Sequence, residues 1–229
     1  MRPFHDGTQG KQASWSSWDD LYREHGGAVW GYDALPFVVD FAELIRSQLP
    51  TNARLLDAAA GTGRNLSALL SLPAELVASD GSSHALRAIP AESLARIRRV
   101  QADMTELPFD DESFSAIIAT DVIETIEQPL NVLRELRRVL RKDGLLLCNV
   151  PGADDGVAGH DMTPLADGGF VYSDRFYYHF HSPEEASILL SEAGLRVLEA
   201  RRRVWMEEAH MGFRDFRHEH VSHVFLAGR

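Results

Sequence analysis

Cysteine, basic residues and long apolar runs are scarce in this chain. One cysteine, Cys148, occurs among 229 residues, so an internal disulfide is excluded, and its apolar neighbours predict a small buried side chain rather than a nucleophile. The 23 lysines and arginines face 34 acidic residues, and the net charge of −11 disfavours broad contact with a phosphate backbone. No apolar run approaches the ~20 residues of a membrane span, and residues 1–7 lack the apolar core of a signal peptide. We therefore expect no membrane contact and a cytoplasmic location.

The rest of the composition is that of an ordinary globular protein, with 45% hydrophobic and 25% charged residues. Residues 1 to about 14 are polar and lack periodicity, which predicts a mobile arm. Trp15, Trp18, Leu21 and Tyr22 recur at three- and four-residue steps and predict one face of a helix. We divide the chain into an N-terminal arm and helical cap (1–50) and a main domain (51–229).

Strand and helix patterns alternate from Leu55 onward, which favours parallel strands with helices on both faces of a sheet. After the first strand, further strands are predicted at 75–80, 97–101, 114–120, 145–150, 195–204 and 221–227. One helix is expected to end near Pro50, and another to follow the stripe 130–140 with Gly144 as its C-terminal cap. A further helix begins at a capping Ser182 and stops at Gly194.

The first strand meets its helix through residues with little or no side chain. Gly61 and Gly63 allow a ligand to approach the backbone and permit positive φ angles. A helix beginning near Thr62 would point free N–H groups at this ligand, which favours an anionic group on it. Leu66 stands where a dinucleotide fingerprint has its third glycine, so a nicotinamide dinucleotide is disfavoured. A plain strand-to-helix connection is the alternative.

A second acidic residue follows the next strand. Asp80 comes 23 residues after Asp57, close to the ~20-residue offset at which doubly wound folds place a carboxylate on ribose hydroxyls. The alternative is a cap for the helix that starts at 82, and one residue can do both.

Three segments together resemble the class I S-adenosylmethionine-dependent methyltransferases, of the methyltransferase type 11 or UbiE-like group. They are D-A-A-A-G-T-G at 57–63, A-D-M-T-E-L-P-F at 102–109 and D-V-I-E-T-I-E-Q-P at 121–129. The chain departs from the family at Ala59, where glycine is usual, and at Thr125, where many relatives have histidine. The resemblance implies an α/β fold: a Rossmann-like doubly wound seven-stranded sheet of order 3-2-1-4-5-7-6, with strand 7 antiparallel and an N-terminal helical cap. It also implies S-adenosyl-L-methionine as cofactor.

The resemblance further implies which residues bind the cofactor. Asp57 would accept hydrogen bonds at the methionine ammonium end, Asp80 would hold the ribose, and Asp103 would accept from the adenine amino group. Taken singly, an aspartate at this position is more often a turn residue. The other expected contacts come from the glycine loop, the strand ends and one cap aromatic: Ala58, Ala59, Gly61, Gly63, Gly81, Met104, Thr120, Asp121 and Trp30.

The acceptor is expected beside two segments after the fifth strand. Residues 151–169 are rich in glycine and predict a lid, and 171–181, dense in aromatics and histidine, predict an acceptor wall. Simple packing of the lid is the alternative for these aromatics. Because the sulfonium methyl is already activated, the protein must mainly hold the acceptor in line about 3 to 3.5 Å away and exclude water. His179, His181 and Glu124 are the candidate bases.

The predicted activity is methyl transfer to an oxygen or nitrogen of a small-molecule acceptor, by a monomer or homodimer. Residues 175–180 are similar to a segment of tRNA wobble-uridine methyltransferases, which would make RNA the acceptor, against the acidic balance. A non-catalytic module that binds S-adenosylmethionine is a third hypothesis. His218 and His220 would share one side of a strand, but no closed ligand set accompanies them, so no metal is predicted.

Overall fold

The computed structural model describes residues 9–210 and 212–229. Residues 1–8, part of the predicted arm, lie outside the described residues, whereas residues 9–14 already belong to a helix. The helices are α1 (Gln9–His25), α2 (Pro36–Arg46), α3 (Leu66–Leu69), α4 (Ser83–Ala88), α5 (Pro129–Val139) and α6 (Pro183–Glu192). The strands are β1 (Arg54–Ala58), β2 (Glu75–Asp80), β3 (Ile97–Gln101), β4 (Phe114–Ala119), β5 (Leu140–Pro151), β6 (Met162–Pro164), β7 (Phe170–Tyr172), β8 (Phe176–Tyr178), β9 (Arg196–Glu207) and β10 (His218–Gly228).

Seven strands form one sheet in the order β3-β2-β1-β4-β5-β10-β9. The pairs from β3 to β5 are parallel, and β10 runs antiparallel to both β5 and β9. The predicted order and the antiparallel seventh strand are therefore confirmed. The carboxyl ends of β1, β2, β3 and β4 meet at one edge, where ligands of doubly wound sheets bind.

The central strands of the sheet are buried on both faces. Leu55 packs in a cluster with α2 and α3, whereas its neighbour Leu56 packs in a second cluster with α5 and α6. Strands with two buried faces are expected to be continuous apolar runs, as β4 is. Cys148 lies inside β5 as a buried thiol whose pKa burial raises to about 12, which confirms the predicted apolar role.

Three predicted helix ends are wrong. The helix after the glycine loop begins at Leu66 rather than Thr62, because residues 61–65 form turns with φ of 54° at Gly61 and 86° at Gly63. α2 ends at Arg46, before Pro50. α5 ends at Val139, and Gly144 lies within β5 instead of capping a helix. Since α3 is a single short turn, any ligand at this edge meets the N–H groups of the loop rather than a long helix dipole.

The N-terminal cap joins the rest of the chain through a third cluster. Leu21, Tyr22 and Val29 pack there against Phe176 of β8 and Phe213 of the β9–β10 connection. β6, β7 and β8 form a small antiparallel sheet in the segments predicted as lid and acceptor wall. Over residues 9–210 and 212–229, none of the helices combines the length and apolarity needed to cross a bilayer.

Candidate active site

The glycine loop turns sharply at the carboxyl end of β1. Ala59, where the family pattern has glycine, adopts the left-handed conformation with φ of 59°. A side chain at Gly61 would approach the Tyr22 hydroxyl to 3.0 Å, and one at Gly63 would approach Leu66 to 2.7 Å. Gly61 is therefore needed for the approach of the cap, whereas Gly63 is needed for packing beneath the loop.

Asp80 links the glycine loop to the turn after β2. Its Oδ2 accepts a hydrogen bond from the Gly61 N–H at 2.8 Å, and its Oδ1 accepts from the Ser82 N–H at 2.8 Å. Ser82 itself caps α4 through its Oγ, so Asp80 is not the helix cap. Burial outweighs these two bonds and raises the pKa of Asp80 to about 6. A carboxylate has about four lone-pair sites, so two remain for ligand hydroxyls.

Asp57 is buried directly under this loop. Its Oδ2 has no hydrogen-bond partner among the described residues. Burial and the neighbouring charge of Asp80 raise the pKa of Asp57 to about 8. An unpartnered buried carboxyl is costly, and a donor or cation brought to it would remove that cost.

A first cavity extends from the glycine loop along the ends of β2, β3 and β4. Its sheet side consists of Asp80 and Gly81, of Asp103 and Met104, and of Thr120 and Asp121, together with loop residues Ala59 and Gly61. Asp103 also accepts hydrogen bonds from the backbone and hydroxyl of Thr105, each at 2.7 Å, so it is a turn residue and a cavity residue at once. The structure thus brings eight of the twelve predicted cofactor residues to one cavity.

Three aromatic residues of the cap close the other side of the first cavity. Trp18, Tyr22 and Trp30 all line it, and the Trp30 Nε1–H donates to the Tyr22 hydroxyl at 2.9 Å. Trp30 is therefore a ninth predicted residue at the cavity. Tyr22 is the aromatic residue that the sequence offered as an alternative to Trp30, and Trp18 was not predicted there. Asp57, Ala58 and Gly63 do not line the cavity, because Asp57 and Ala58 are buried within β1 and the space beside Gly63 faces Leu66.

A second, smaller cavity adjoins the first and shares part of its wall. The shared residues are Trp18, Trp30, Arg64, Asp121 and Thr125. Beyond them the second cavity is lined by groups that titrate or bear charge: Glu124, Tyr178, Glu207, His210, Arg214 and His220.

Two carboxyl groups of the second cavity differ in charge. Burial and the charge of Asp121 raise the pKa of Glu124 to about 8, so its carboxyl is largely protonated at pH 7. Glu207, although buried, lies 2.9 Å from Arg64 Nη2 and 2.9 Å from His210 Nε2. These partners lower the pKa of Glu207 to about 2 despite its burial, so its carboxylate is ionised.

His220 of β10 lines the second cavity, and its ring contacts Asp155 and Trp205. Its Nδ1 lies 2.6 Å from Oδ2 of the buried Asp155, and its ring lies edge-on to Trp205 at 4.5 Å. Asp155 also accepts the Val221 N–H at 2.8 Å. The carboxylate raises the pKa of His220 against the effect of burial. His218 does lie on the same side, and one ligand atom from each of the two histidines and Asp155 falls within 4.8 Å of the others, a grouping that sequence patterns alone did not supply.

Of the three candidate bases, the structure brings one to a cavity. Glu124 lines the second cavity, but His179 and His181 line neither cavity. Their rings lie 4.3 Å apart next to Glu185 at the start of α6, with His181 buried. The predicted wall 171–181 contributes Tyr178 to the second cavity, while Phe176 packs on Trp18 at 4.5 Å.

Comparison with known proteins agrees with this geometry. A family model described as a methyltransferase domain matches residues 56–148, the part of the chain that holds the glycine loop and the strand ends at the first cavity. This match supports a class I S-adenosylmethionine-dependent methyltransferase. Sequence relatives within this methyltransferase class include a demethylmenaquinone methyltransferase of Clavibacter sepedonicus, 40% identical over 99 residues, which cover 42% of this chain and 40% of the relative. A demethylmenaquinone methyltransferase of Mycolicibacterium gilvum is 33% identical over 111 residues, which cover 48% of this chain and 47% of the relative.

The chain spans less than half the length of these two curated relatives. Among solved structures, the 1,6-didemethyltoxoflavin N1-methyltransferase of Burkholderia thailandensis, with S-adenosylhomocysteine bound, superposes with a TM-score of 0.68. It is 18% identical, and the match covers 100% of this chain and 92% of the other. At this identity the likeness shows a shared methyltransferase fold.

S-adenosylmethionine, the cofactor of this methyltransferase class, fits the residues of the first cavity. The unpartnered Asp57 Oδ2 lies under the loop where the family pattern places the ammonium end, and Asp80 retains free lone pairs beside Gly61. Asp103 and Met104 stand at the far end, where an acceptor for an amine and a thioether for a ring face the same space. The residues present therefore suit a nucleoside joined to an amino acid.

Some residues around the cavities were not predicted, because they lie outside the three segments 57–63, 102–109 and 121–129 that resemble the methyltransferases. Asn65, buried, accepts the Leu35 N–H at 3.0 Å and donates to Thr120 Oγ1 at 2.9 Å, which fixes the end of β4 against the cap. Asn65 comes two residues after Gly63, so its position beside the glycine loop was a sequence feature from which this role could have been predicted. Arg214 and His220 lie in the charged, aromatic C-terminal stretch, and no short motif identifies them.

Proposed function

We propose that the protein transfers a methyl group from S-adenosylmethionine to an oxygen or nitrogen of a small molecule bound in the second cavity. The observation that carries this proposal is the junction of the two cavities at Asp121, Thr125 and Trp30. A cofactor cavity that adjoins a second, partly aromatic cavity suits transfer between two bound molecules, because both can be aligned while water is excluded.

In this proposal the first cavity holds the cofactor by both ends. Asp80 would accept from the ribose hydroxyls and Asp103 from the adenine amino group. Asp57, which does not line the cavity, would accept from the ammonium group through a bridging water. Met104 would pack on the adenine ring, and Thr120 and Asp121 would face the sulfonium region. When bound, S-adenosylmethionine supplies an activated methyl group, so the residues of the protein need mainly to orient the acceptor.

An acceptor that must lose a proton would meet His220 rather than His179 or His181. His220 lines the second cavity, and Asp155 fixes its ring through the 2.6 Å contact at Nδ1. A base oriented in this way by a buried carboxylate is a common arrangement for proton removal. Glu124 would be less available as a base, since its carboxyl is largely protonated at pH 7 and serves better as a donor.

RNA as acceptor has less support. Arg175 of the tRNA-methyltransferase-like segment lies over the Phe176 ring at 5.2 Å and donates to the Ser17 carbonyl at 3.3 Å, so it contacts the cap. The net charge of −11 also disfavours a phosphate backbone.

Calorimetry with S-adenosylhomocysteine tests the first half of the proposal. We expect saturable binding. We expect Asp80→Asn to weaken it by at least about tenfold, since the variant loses the charge that strengthens the hydrogen bonds of Asp80 to the ligand and to the Gly61 N–H. Asp143→Asn, at an exposed acid within β5, is the matched control. Absence of heat with the wild-type protein would contradict the cofactor assignment.

The second half is tested with methyl-labelled S-adenosylmethionine and a panel of small acceptors, with total tRNA in parallel. Label in a small molecule supports the proposal. Label in tRNA alone would assign RNA as the acceptor, and cofactor binding without transfer to any acceptor would favour the non-catalytic module.

A further inference from the structure

Arg214 is buried without a counter-ion. It is 4% exposed, and its Nε and Nη2 have no hydrogen-bond partner among the residues that the structure describes. Over the same residues, no carboxylate oxygen forms an ion pair with it within 4.0 Å, although sixteen such pairs involve other groups. Arginine stays protonated in proteins, so this is a buried positive charge with two free donors.

The surroundings of Arg214 hold the guanidinium group but do not neutralise it. Its Cζ lies 5.3 Å from the Tyr172 ring, 5.2 Å from the Tyr178 ring and 4.8 Å from the Phe213 ring. These aromatic rings stabilise the cation, and the hydroxyls of Tyr172 and Tyr178 also interact with the guanidinium group, but neither engages Nε or Nη2. The side chain is thereby fixed in place while Nε and Nη2, the edge that binds carboxylates in a bidentate manner, are left free.

The nearby acids do not act as its partner. Glu124 lines the same cavity, but its buried carboxyl is largely protonated at pH 7 and its Oε2 is itself unpartnered. Asp155 is engaged by His220 and by the Val221 N–H, and Glu207 by Arg64 and His210. The positive charge at the wall of the second cavity is therefore available to whatever the cavity binds.

We infer that Arg214 binds an anionic group of the methyl acceptor, a carboxylate, in the second cavity. This inference rests on the proposed function and specifies its substrate class: a small, flat organic acid. The flat shape follows from the walls, since Trp18, Trp30 and Phe213 line the cavity with ring faces and edges. The carboxylate would receive two parallel N–H bonds from Arg214, and an O–H or N–H on the same molecule would be within the cavity that Glu124 and His220 line.

Paired ligands test the inference. The S-adenosylhomocysteine-loaded protein is titrated with a panel of aromatic carboxylic acids, benzoate and its hydroxy and amino derivatives, each next to the matching carboxamide. Quenching of tryptophan fluorescence is the readout, because Trp18, Trp30 and Trp205 line the cavity. We expect at least one acid to bind about tenfold or more tightly than its amide. If every amide binds as well as its acid, or none of the acids binds, the inference is wrong.

Variants assign the effect to Arg214. In Arg214→Gln the preference for the acid should vanish, whereas Arg217→Gln, at an exposed arginine paired with Glu208, should keep it. An acid preference that survives in Arg214→Gln would overturn the inference. Unchanged S-adenosylhomocysteine binding in Arg214→Gln shows that the variant is folded. If it does not fold, the wild-type comparison of acid with amide decides.

The outcomes also separate this inference from the proposed function. Failure of the wild-type protein to bind S-adenosylhomocysteine refutes the proposed function, and the acid and amide titrations can still be run on the unloaded protein. Cofactor binding together with equal binding of acids and amides refutes the role of Arg214 alone.

Discussion

At the scale of single residues, Asp57 couples cofactor binding to a proton. Its pKa of about 8 in the free protein leaves most of the carboxyl protonated at pH 7. A ligand ammonium group would lower that pKa, so S-adenosylhomocysteine should release a proton as it binds. We expect its binding enthalpy at pH 7 to differ between phosphate and Tris buffers. Asp57→Asn should abolish the difference, with Asp143→Asn as control. Equal enthalpies in both buffers for the wild-type protein would contradict this role.

The same residue should lower the stability of the unliganded protein. The pKa of Asp57 is higher in the folded than in the unfolded protein. Asp57 therefore does not lower the free energy of unfolding at pH values below its unfolded-state pKa, and the loss grows as pH rises toward 8. We expect Asp57→Asn to raise the free energy of unfolding at pH 7 by about 1–3 kcal/mol, because the variant no longer buries an unpaired ionisable group. The gain should shrink toward pH 4. Urea denaturation at the two pH values measures it, and a gain independent of pH would contradict the explanation.

Ala59 stores backbone strain in the glycine loop. A non-glycine residue in the left-handed region costs about 1–2 kcal/mol. Glycine avoids this strain, but relative to alanine it loses about 0.4–1 kcal/mol more conformational entropy on folding. We therefore expect Ala59→Gly to stabilise the protein by about 0.5 kcal/mol in urea denaturation. Ala60→Gly is the control, because Ala60 does not have positive φ and should lose stability instead. Equal losses in both variants would show that the strain at Ala59 is relieved elsewhere.

At the scale of elements, the sequence predicts strands better than the turns between them. The predicted ranges of β2 and β3 agree with the structure to the residue, because β2 is an apolar segment with polar ends and β3 has the β-branched residues Ile97 and Val100. The start of α3 was misplaced because two positive-φ glycines delay the helix until Leu66. Gly144 was misread as a cap because the turn signal Lys142-Asp143-Gly144 occurs inside a long strand that pairing with β4 and β10 stabilises.

The two cavities differ in predictability for a related reason. Asp80, Asp103 and Asp121 each follow a strand end, and parallel strands bring such ends together, so local patterns suffice for the first cavity. The second cavity combines Glu124 with Arg214 and His220, which lie about 90 residues further along the chain. Their meeting depends on how the β9–β10 hairpin extends over the sheet edge, and alternation within a strand does not specify that.

Glu207 ties the β9 end to the glycine loop through Arg64. Its pKa of about 2 is lower than in an unfolded chain, so its stabilisation is present above about pH 4.5 and is lost as pH falls toward 2. The shift corresponds to about 3 kcal/mol at neutral pH. We expect Glu207→Gln to reduce the free energy of unfolding at pH 7 and to approach the wild-type value near pH 2. Glu208→Gln, at an exposed neighbour, should have little effect at either pH. A Glu207 effect of equal size at both pH values would contradict the ion-pair explanation.

At the scale of the whole molecule, the cap and the sheet enclose the cofactor cavity between them, and Asp19 provides the polar contact of α1 with the turn after β2. Asp19 accepts the Ser82 Oγ–H at 2.6 Å and lies 3.0 Å from His84 Nδ1, both in the turn and helix that follow β2. Trp18 and Tyr22, which close the first cavity, lie on the same helix. Weakening this contact should therefore open the cavity without altering any residue of its sheet side.

We expect Asp19→Ala to speed the dissociation of S-adenosylhomocysteine by about threefold or more, while association changes less, because closure acts mainly on the escape of a bound ligand. Stopped-flow tryptophan fluorescence measures both rates. Amide hydrogen exchange should quicken in 16–32 but not in β1 or β4, whose protection depends on the sheet core. Asp20→Ala is the matched control, since Asp20 pairs with the exposed Arg23 of the same helix at 2.6 Å. Equal dissociation rates in Asp19→Ala and Asp20→Ala would show that the apolar cluster of Leu21, Val29 and Phe213 holds the cap without Asp19.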